Sequence, residues 1–250
     1  MPFILEICVD SIESACAVRE TGASRIELCS ALSEGGLTPS TGLISSVRSN
    51  LDIEINVLIR PRRGDFLYSD NEFSVMRRDI ELAGEAGANG IVTGILLHDG
   101  SIDVERTALL AEYAAPMSVT FHRAFDLCRD PRKALNDIIL TGALRVLTSG
   151  QAQKAVEGAA LIKDLIGIAG NKLIIMPGGG INEYNIAALA ASTGAHEFHM
   201  SARKAIQSRM TYRKKGVSMG GNQIQSEYEL NIPDIDRIRS VINILEHIEI

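Results

Sequence analysis

Aromatic residues are scarce in this sequence, at 4% of the chain, and tryptophan is absent. The net charge is modest at −6, and no stripe of lysine and arginine is interleaved with aromatic side chains. Proteins that bind nucleic acids usually combine a basic surface with aromatic residues on which bases stack. The composition therefore argues against nucleic acid as the main partner.

Cysteines and long apolar runs are scarce as well. The four cysteines are too few and too scattered for a disulfide framework in a chain of 250 residues. The opening MPFILEIC lacks the basic region of a signal peptide, and the apolar runs are far too short to span a membrane. We therefore expect a cytoplasmic protein with reduced thiols and no membrane partner.

What the sequence does contain is an alternation of short β-branched runs with longer helical patterns. Strands that alternate with helices are typical of a parallel sheet. A chain of 250 residues with 46% hydrophobic residues is long enough for one barrel. The predicted strands are Ile4–Val9, Arg25–Cys29, Ile53–Ile59, Gly90–Ile95, Ser118–His122, Arg145–Thr148, Lys172–Met176 and Glu197–Met200.

A short motif recurs before every second predicted strand. Its copies are TGASRI (Thr21–Ile26), AGANGI (Ala86–Ile91), TGALRV (Thr141–Val146) and TGAHEF (Thr193–Phe198). Each copy ends a helix at glycine, the residue that best adopts the left-handed conformation after a helix. Four βαβα units predict a single-domain (β/α)8 TIM barrel over residues 1–250. An open doubly wound sheet is the alternative.

Helix boundaries are predicted from capping residues and proline. The predicted starts are Thr38-Pro39, Asp130-Pro131, Asn182 and Pro233. Apolar spacing predicts that the last helix extends to Ile248 and closes the outer ring. A long polar connection is expected before it, over residues 208–231.

Polar side chains follow the predicted strands at their carboxyl ends, where barrel enzymes place their active sites. Glu6 shares a strand face with Cys8 because alternate residues point to the same side, and Glu27 shares one with Cys29. Buried carboxylates are costly unless paired, so both glutamates are expected to meet an arginine or histidine of the candidate set. A purely structural ion network is the alternative. The candidate catalytic residues are Glu6, Glu27, Arg60, His122, Arg123, Asp126 and His199.

Turns rich in glycine and serine follow predicted strands 6, 7 and 8. Barrel enzymes often hold a phosphate on backbone N–H groups in this region. The candidate anion-binding residues are Thr148, Ser149, Gly178, Gly179, Gly180, Ser201 and Arg203. A tight turn without a ligand is the alternative reading of the glycines. The basic stretch Arg209–Lys215 could also attract an anion, or could be a solvated linker.

Seven motifs stand in order along the chain: LEICVDS, RIELCSALSEGGLTPS, VLIRPRRGDFLYS, VTFHRAFD, RVLTSGQ, MPGGGI and EFHMSAR. Together they resemble the CutC family, named for copper homeostasis, from Ile4 to about Arg203, and the tail MGG at Met219–Gly221 is similar too. The resemblance implies a cytoplasmic (β/α)8 barrel that handles or binds Cu(I). It also implies that Cys8 and Cys29 are the copper ligands, and Cu(I) is a soft ion that favours thiolates.

Two functional hypotheses remain open from the sequence. The first is a copper homeostasis protein that binds Cu(I) through Cys8 and Cys29. The second is a barrel enzyme for a small anionic or phosphorylated metabolite, in which arginines bind the anion and glutamate or histidine transfers protons. A homodimer is a further expectation.

Overall fold

The structure is a computed structural model that describes residues 3–217 and 226–248. Its central sheet consists of eight parallel strands. In chain order, β1 to β8 are Ile4–Val9, Arg25–Leu28, Glu54–Leu58, Gly90–Thr93, Ser118–Phe121, Arg145–Thr148, Ile174–Pro177 and Glu197–Met200. Strand β8 pairs with β1, and a bridge between Gly178 and His199 joins the β7 and β8 edges. The predicted (β/α)8 barrel is confirmed.

Eight α-helices in the described residues surround the barrel. In chain order, α1 to α8 are Ile12–Arg19, Thr41–Asn50, Asp70–Glu85, Val104–Ala114, Pro131–Leu140, Ala159–Ala169, Ile186–Thr193 and Ile235–Glu246. Helix α5 begins as predicted, because the Asp130 side chain accepts hydrogen bonds from the first backbone N–H groups after Pro131. None of these described helices is long and apolar enough to cross a membrane.

The glycines of the repeated motif have the predicted conformation. Gly22, Gly87, Gly142 and Gly194 have φ angles between +75° and +92°. Each ends a helix just before β2, β4, β6 or β8. Residues with a Cβ rarely adopt this left-handed conformation, so glycine sets the return of the chain into the barrel.

Helix α2 starts later than predicted. Ser40 caps it, because its side-chain oxygen accepts a hydrogen bond from the Leu43 N–H at 3.2 Å. Thr38, the predicted cap, has another partner: its Oγ1 accepts the Arg60 N–H at 2.9 Å. The side chain therefore ties the loop before α2 to the residues after β3.

Helix α7 also starts later than predicted. Asn182 is not its cap, because the Asn182 Oδ1 accepts the Tyr184 N–H at 2.9 Å and forms a turn. The helix itself begins at Ile186.

A two-stranded antiparallel hairpin, β9 (Arg203–Gln207) and β10 (Glu229–Pro233), follows the barrel strands. Part of β10 lies in the connection predicted over residues 208–231, and Pro233 ends β10 instead of starting α8. Strand β9 is mostly exposed and carries no apolar face to reveal it in the sequence. Met219–Gly221 lies outside the described residues.

The strands have two different faces. The outward side chains Leu5, Ile7 and Val9 of β1 belong to the main hydrophobic core, between strands and helices. The inward side chains of the same region are polar, and Glu6 is completely buried. The parity predicted for β1 is thus confirmed, and the interior of the barrel contains charged groups.

Candidate functional site

A pocket of about 450 Å³ opens at the carboxyl-terminal end of the strands. Ten residues predicted from the sequence line it: Cys8, Glu27, Arg60, His122, Arg123, Gly179, Gly180, His199, Ser201 and Arg203. The remaining predicted residues do not line it: Glu6, Cys29, Asp126, Thr148, Ser149 and Gly178. The carboxyl ends of parallel strands meet on one face of a barrel, which explains why the lining residues converge.

Glu6 lies beneath the pocket and holds His199 in place. Its Oε1 is 2.8 Å from the His199 Nδ1. Burial alone would raise the pKa of Glu6, but the hydrogen bond with His199 and the charge of Arg25 outweigh burial and lower it to about 2. Glu6 is therefore an anion, and its predicted pairing with a histidine is confirmed.

A buried ion network surrounds Glu6 inside the barrel. The Arg25 Nε donates to Glu6 Oε2 at 2.6 Å, and the Arg25 Nη2 donates to Glu197 Oε2 at 2.6 Å. The Arg145 Nε donates to the same Glu197 oxygen at 3.1 Å, and the Asn56 Nδ2 donates to Glu6 at 2.9 Å. Each charge is thus paired, as burial in a region of low dielectric requires.

The sequence contains a signal for this network at the starts of strands, whereas the predicted site residues lie at strand ends. Arg25, Gly90, Arg145 and Glu197 occupy the same fifth position of the four repeated motifs. That position is the first residue of β2, β4, β6 and β8 and faces inward. A side chain at Gly90 would overlap the Asn56 amide oxygen and the Ser118 hydroxyl, so glycine leaves room for the network.

Cys8, Glu27 and His199 form a cluster at the bottom of the pocket. One side-chain donor atom of each lies within 4.8 Å of the other two. His199 uses Nδ1 for Glu6, so its Nε2 faces the cluster, 3.9 Å from the Glu27 Oε2. A thiol, a carboxylate and an imidazole nitrogen at this spacing can hold a metal ion.

Opposing effects set the charges of this cluster. Burial, together with the charge of Glu6, raises the pKa of Glu27 to about 7, despite the opposing effect of His199. Burial alone would lower the pKa of His199, but the charge of Glu27 and hydrogen bonds with Cys8 and Glu6 raise it well above its ordinary value. Glu27 is therefore the carboxyl group in this cluster whose charge changes near neutral pH.

Cys29 lies next to this cluster but is covered by protein. Its Sγ is 3.4 Å from the Val9 carbonyl oxygen, and the residue packs with Leu58 and Val92. A Cβ on Gly36 would lie 3.8 Å from this sulfur. Burial, and then the charge of Glu27, raises the pKa of the Cys29 thiol far above its ordinary value.

Arg60 joins two loops. Its guanidinium donates to the carbonyl oxygens of Glu34, Gly36 and Gly64 at 3.1, 2.9 and 3.0 Å. It connects the loop after β2 to the loop after β3. Arg60 was one of the alternative partners expected for the buried glutamates, and it does not take this role, because backbone oxygens accept its terminal N–H groups.

His122 faces the pocket as a neutral ring. Its Nδ1 accepts the Ala124 N–H at 3.2 Å. Burial and the charge of Arg60 lower the pKa of His122 to about 3. The ring of Phe66 lies against it, with centroids 4.8 Å apart. Its Nε2 has no hydrogen-bond partner among the described residues.

Asp126 occupies the donor-rich turn after β6. Its carboxylate accepts hydrogen bonds from the Thr148 hydroxyl and from the backbone N–H groups of Ser149 and Gln151, at 2.5, 3.0 and 3.2 Å. Arg123, another of the alternative partners expected for the glutamates, donates instead to the same Asp126 carboxylate at 2.7 Å. The turn predicted to bind an external anion therefore holds the protein's own carboxylate.

The pocket rim beyond strands β7 and β8 contains hydrogen-bond donors that the described protein leaves unpaired. Gly179 and Gly180 have φ angles of +103° and +73°. Their N–H groups donate to no acceptor within the described part of the chain. Gly178, by contrast, donates to the Thr148 carbonyl at 2.9 Å. Arg203 is half-buried and makes no side-chain hydrogen bond or ion pair with the described residues.

The CutC family model matches residues 3–204 of this chain. The family protein CutC of Chromobacterium violaceum is 48% identical over 246 residues, which cover 98% of this chain and 99% of that protein. The human protein named copper homeostasis protein cutC homolog is 48% identical over 246 residues, which cover 98% of this chain and 90% of that protein.

Comparison with solved structures also finds a CutC protein. The CutC protein of Streptococcus agalactiae is 32% identical and superposes with a TM-score of 0.76, covering 80% of this chain and 98% of that one. Phosphoribosyl anthranilate isomerase from Thermotoga maritima, at 14% identity and a TM-score of 0.59, covers 98% of this chain and 100% of that one, and shows the fold alone. The family model and the near-full-length relatives together show that this chain belongs to the CutC family.

Proposed function

We propose that the protein takes part in copper homeostasis by binding Cu(I) at the bottom of the barrel pocket. The mouse and human relatives are named for copper homeostasis. The observation that carries the proposal is the cluster of Cys8, Glu27 and His199, whose donor atoms lie within 4.8 Å of one another. Cu(I) as cargo requires reduced thiols, which fits the cytoplasmic location expected from the sequence.

The chemistry of the donors suits Cu(I) more than a hard cation. Cys8 supplies a soft sulfur, and His199 supplies an imidazole nitrogen that copper also accepts. Ca²⁺ and Mg²⁺ prefer sets of oxygen ligands, and Glu27 is the single carboxylate of the cluster. We therefore assign Cys8 and His199 as the main ligands and Glu27 as a neighbouring carboxylate.

Glu6 supports this assignment from below. Histidines that bind metals usually give their other ring nitrogen to a carboxylate, which fixes the ring and the tautomer. The 2.8 Å contact between Glu6 and the His199 Nδ1 has this form and directs Nε2 towards Cys8. Cu(I) would displace the proton from Nε2, so binding should be weaker at acidic pH.

Cys29 was expected to be the second thiol ligand. Its sulfur is next to the cluster but covered by Leu58, Val92 and the loop at Gly36. A two-thiol site would need this cover to shift. We therefore propose that Cys8 is required for copper binding and that Cys29 has the smaller effect.

The test is an anaerobic titration of reduced protein with Cu(I) in the presence of a chromophoric competing chelator. We expect one Cu(I) per chain, and we expect Cys8→Ser to weaken binding by at least about a hundredfold. Cys16→Ser is the matched control, because Cys16 lies on α1, away from the pocket lining. Unchanged Cu(I) affinity in Cys8→Ser would refute the proposal.

A second candidate function is an enzyme that acts on a small anionic metabolite. It is favoured by the raised pKa of Glu27, about 7, in a pocket that also contains Arg123 and Arg203. A carboxyl group that titrates near neutral pH is suited to general acid–base catalysis. Thermal stability measured against phosphate concentration at fixed ionic strength tests it, and a flat response would count against this candidate.

A further inference from the structure

The side chain that neither the copper site nor the ion network uses is His122. It is 5% exposed and lines the pocket. Gly94 makes room for the ring, since a Cβ there would lie 2.6 Å from the His122 Nδ1. The His122 ring is therefore packed into the pocket wall, in space that the missing side chain of Gly94 leaves open.

The hydrogen bond at Nδ1 determines where the proton of His122 lies. Nδ1 accepts the Ala124 N–H, so this nitrogen carries a lone pair and no proton. Because the buried ring is neutral, its one proton must be on Nε2. The Nε2 atom then has no lone pair for a metal ion, and His122 is a hydrogen-bond donor rather than a copper ligand.

No group of the described protein accepts this N–H. The neighbours of the ring are Phe66, Phe121 and Arg60, none of which offers a side-chain oxygen. A buried donor without an acceptor is destabilising, and such donors are rare in folded proteins. Neighbouring side chains cover the Nε2 atom, so an acceptor on a molecule in the pocket would satisfy it once these side chains shift.

The pocket rim indicates that this molecule is an anion. Arg203 has no counter-ion among the described residues. The Arg123 guanidinium also lies at this rim, 3.3 Å from where a Cβ on Gly179 would be, but it is paired with Asp126. The N–H groups of Gly179 and Gly180 are also without acceptors in the described chain. Donors and positive charge together are suited to a phosphate or carboxylate.

Part of the pocket lining is apolar. Leu32, Leu58 and Leu147 line the pocket. An uncharged oxygen, such as a carbonyl, suits the donor beside Phe66, because a second full charge there would be costly to remove from water. A pocket of about 450 Å³ is within the usual range for a small molecule.

We propose that the pocket binds a small organic anion, with its phosphate or carboxylate at Gly179, Gly180 and Arg203 and a carbonyl oxygen on the His122 Nε2–H. This site rests on the second candidate function and names the class of ligand for it. It does not depend on copper. It assigns His122 to ligand binding.

The first test is a long-range ¹H–¹⁵N NMR spectrum of the histidine side chains in metal-free protein. We expect His122 to be the Nε2–H tautomer at pH 7 and its resonances to shift when dihydroxyacetone phosphate, which carries both groups, is added. An Nδ1–H tautomer, or a His122 signal that the probe leaves unmoved, would overturn the proposal. The tautomer result stands whether or not phosphate stabilises the protein.

The second test is calorimetric titration of metal-free protein with inorganic phosphate and with dihydroxyacetone phosphate. Arg203→Ala should weaken both by about ten- to a hundredfold, the usual effect of losing a charged donor. His122→Phe should weaken the carbonyl compound alone, by about three- to tenfold.

The matched controls are Arg78→Ala and His98→Phe, since both residues are exposed and absent from the pocket lining. Equal loss of both probes in His122→Phe, or no loss of either, would contradict the assignment. Failure of the parent protein to bind either probe would also reject it. None of these results depends on copper binding, because no metal is present.

Discussion

At the scale of single residues, Glu27 is the group whose charge should change near neutral pH. Burial raises its pKa from 4.5 to about 7. Between these values the folded protein keeps a proton that the unfolded chain has lost. Stability should therefore fall as the pH rises from about 4.5 to about 7, and the contribution of Glu27 should be constant above that.

Glu27→Gln keeps the shape of the side chain and removes its charge. We expect this variant to lose less thermal stability than the parent between pH 5 and pH 8, by about 5 °C in Tm. Glu112→Gln, at an exposed site on α4, is the control and should follow the parent. Parallel pH profiles for Glu27→Gln and the parent would show that Glu27 is not the titrating group.

Strand parity explains why several residue positions were predictable. Alternation along β1 put Glu6 inside the barrel, and the position of His199 at the end of β8 put it in the pocket. Their contact follows from the pairing of β1 with β8. The partners of Asp126 in the turn after β6 were not predictable, because that turn reaches its carboxylate only once the barrel has closed.

At the scale of elements, the cap of α2 makes a direct prediction. Ser40 accepts the Leu43 N–H and satisfies one of the unpaired donors of the first turn. Ser40→Ala should lower the free energy of unfolding by about 1 kcal/mol. Ser46→Ala, at an exposed position within α2, should have no such cost, since alanine favours helix. Urea denaturation of the two variants measures the difference, and equal stability would refute the cap.

The repeated motif and the helix starts show which features of helices and strands can be predicted from the sequence. The glycines at Gly22, Gly87, Gly142 and Gly194 were predictable because backbone conformation at a helix end is local. Thr38 failed as a cap because its oxygen accepts a hydrogen bond from Arg60, 22 residues away in sequence. Such a partner depends on how β3 and the loop before α2 meet in the fold.

At the scale of the whole molecule, the ion network inside the barrel holds several strands together. Arg25 on β2 joins Glu6 on β1 to Glu197 on β8. Removing a buried partner leaves charges without compensation. Arg25→Met should therefore destabilise the fold by about 3–5 kcal/mol. A loss below about 1 kcal/mol in urea denaturation would show that the network is not a main support.

Arg78→Met is the control for this variant. Arg78 pairs with Glu81 at 2.8 Å, but both side chains are exposed, at 59% and 43%. An exposed pair contributes about 0–1 kcal/mol, so this variant should be near the parent. The fifth position of the repeated motif indicates which residues belong to the network. Which of them contact one another depends on the strand register of the closed barrel.

The central claim is that Cu(I) binds at Cys8 and His199, and X-ray absorption at the copper edge tests it most directly. Protein loaded with one Cu(I) per chain under anaerobic conditions should show one sulfur and at least one imidazole nitrogen around copper. Cys8→Ser should lose the sulfur, whereas Cys29→Ser should keep it. Two sulfurs without imidazole, or an environment of oxygen and nitrogen alone in the parent protein, would contradict the account.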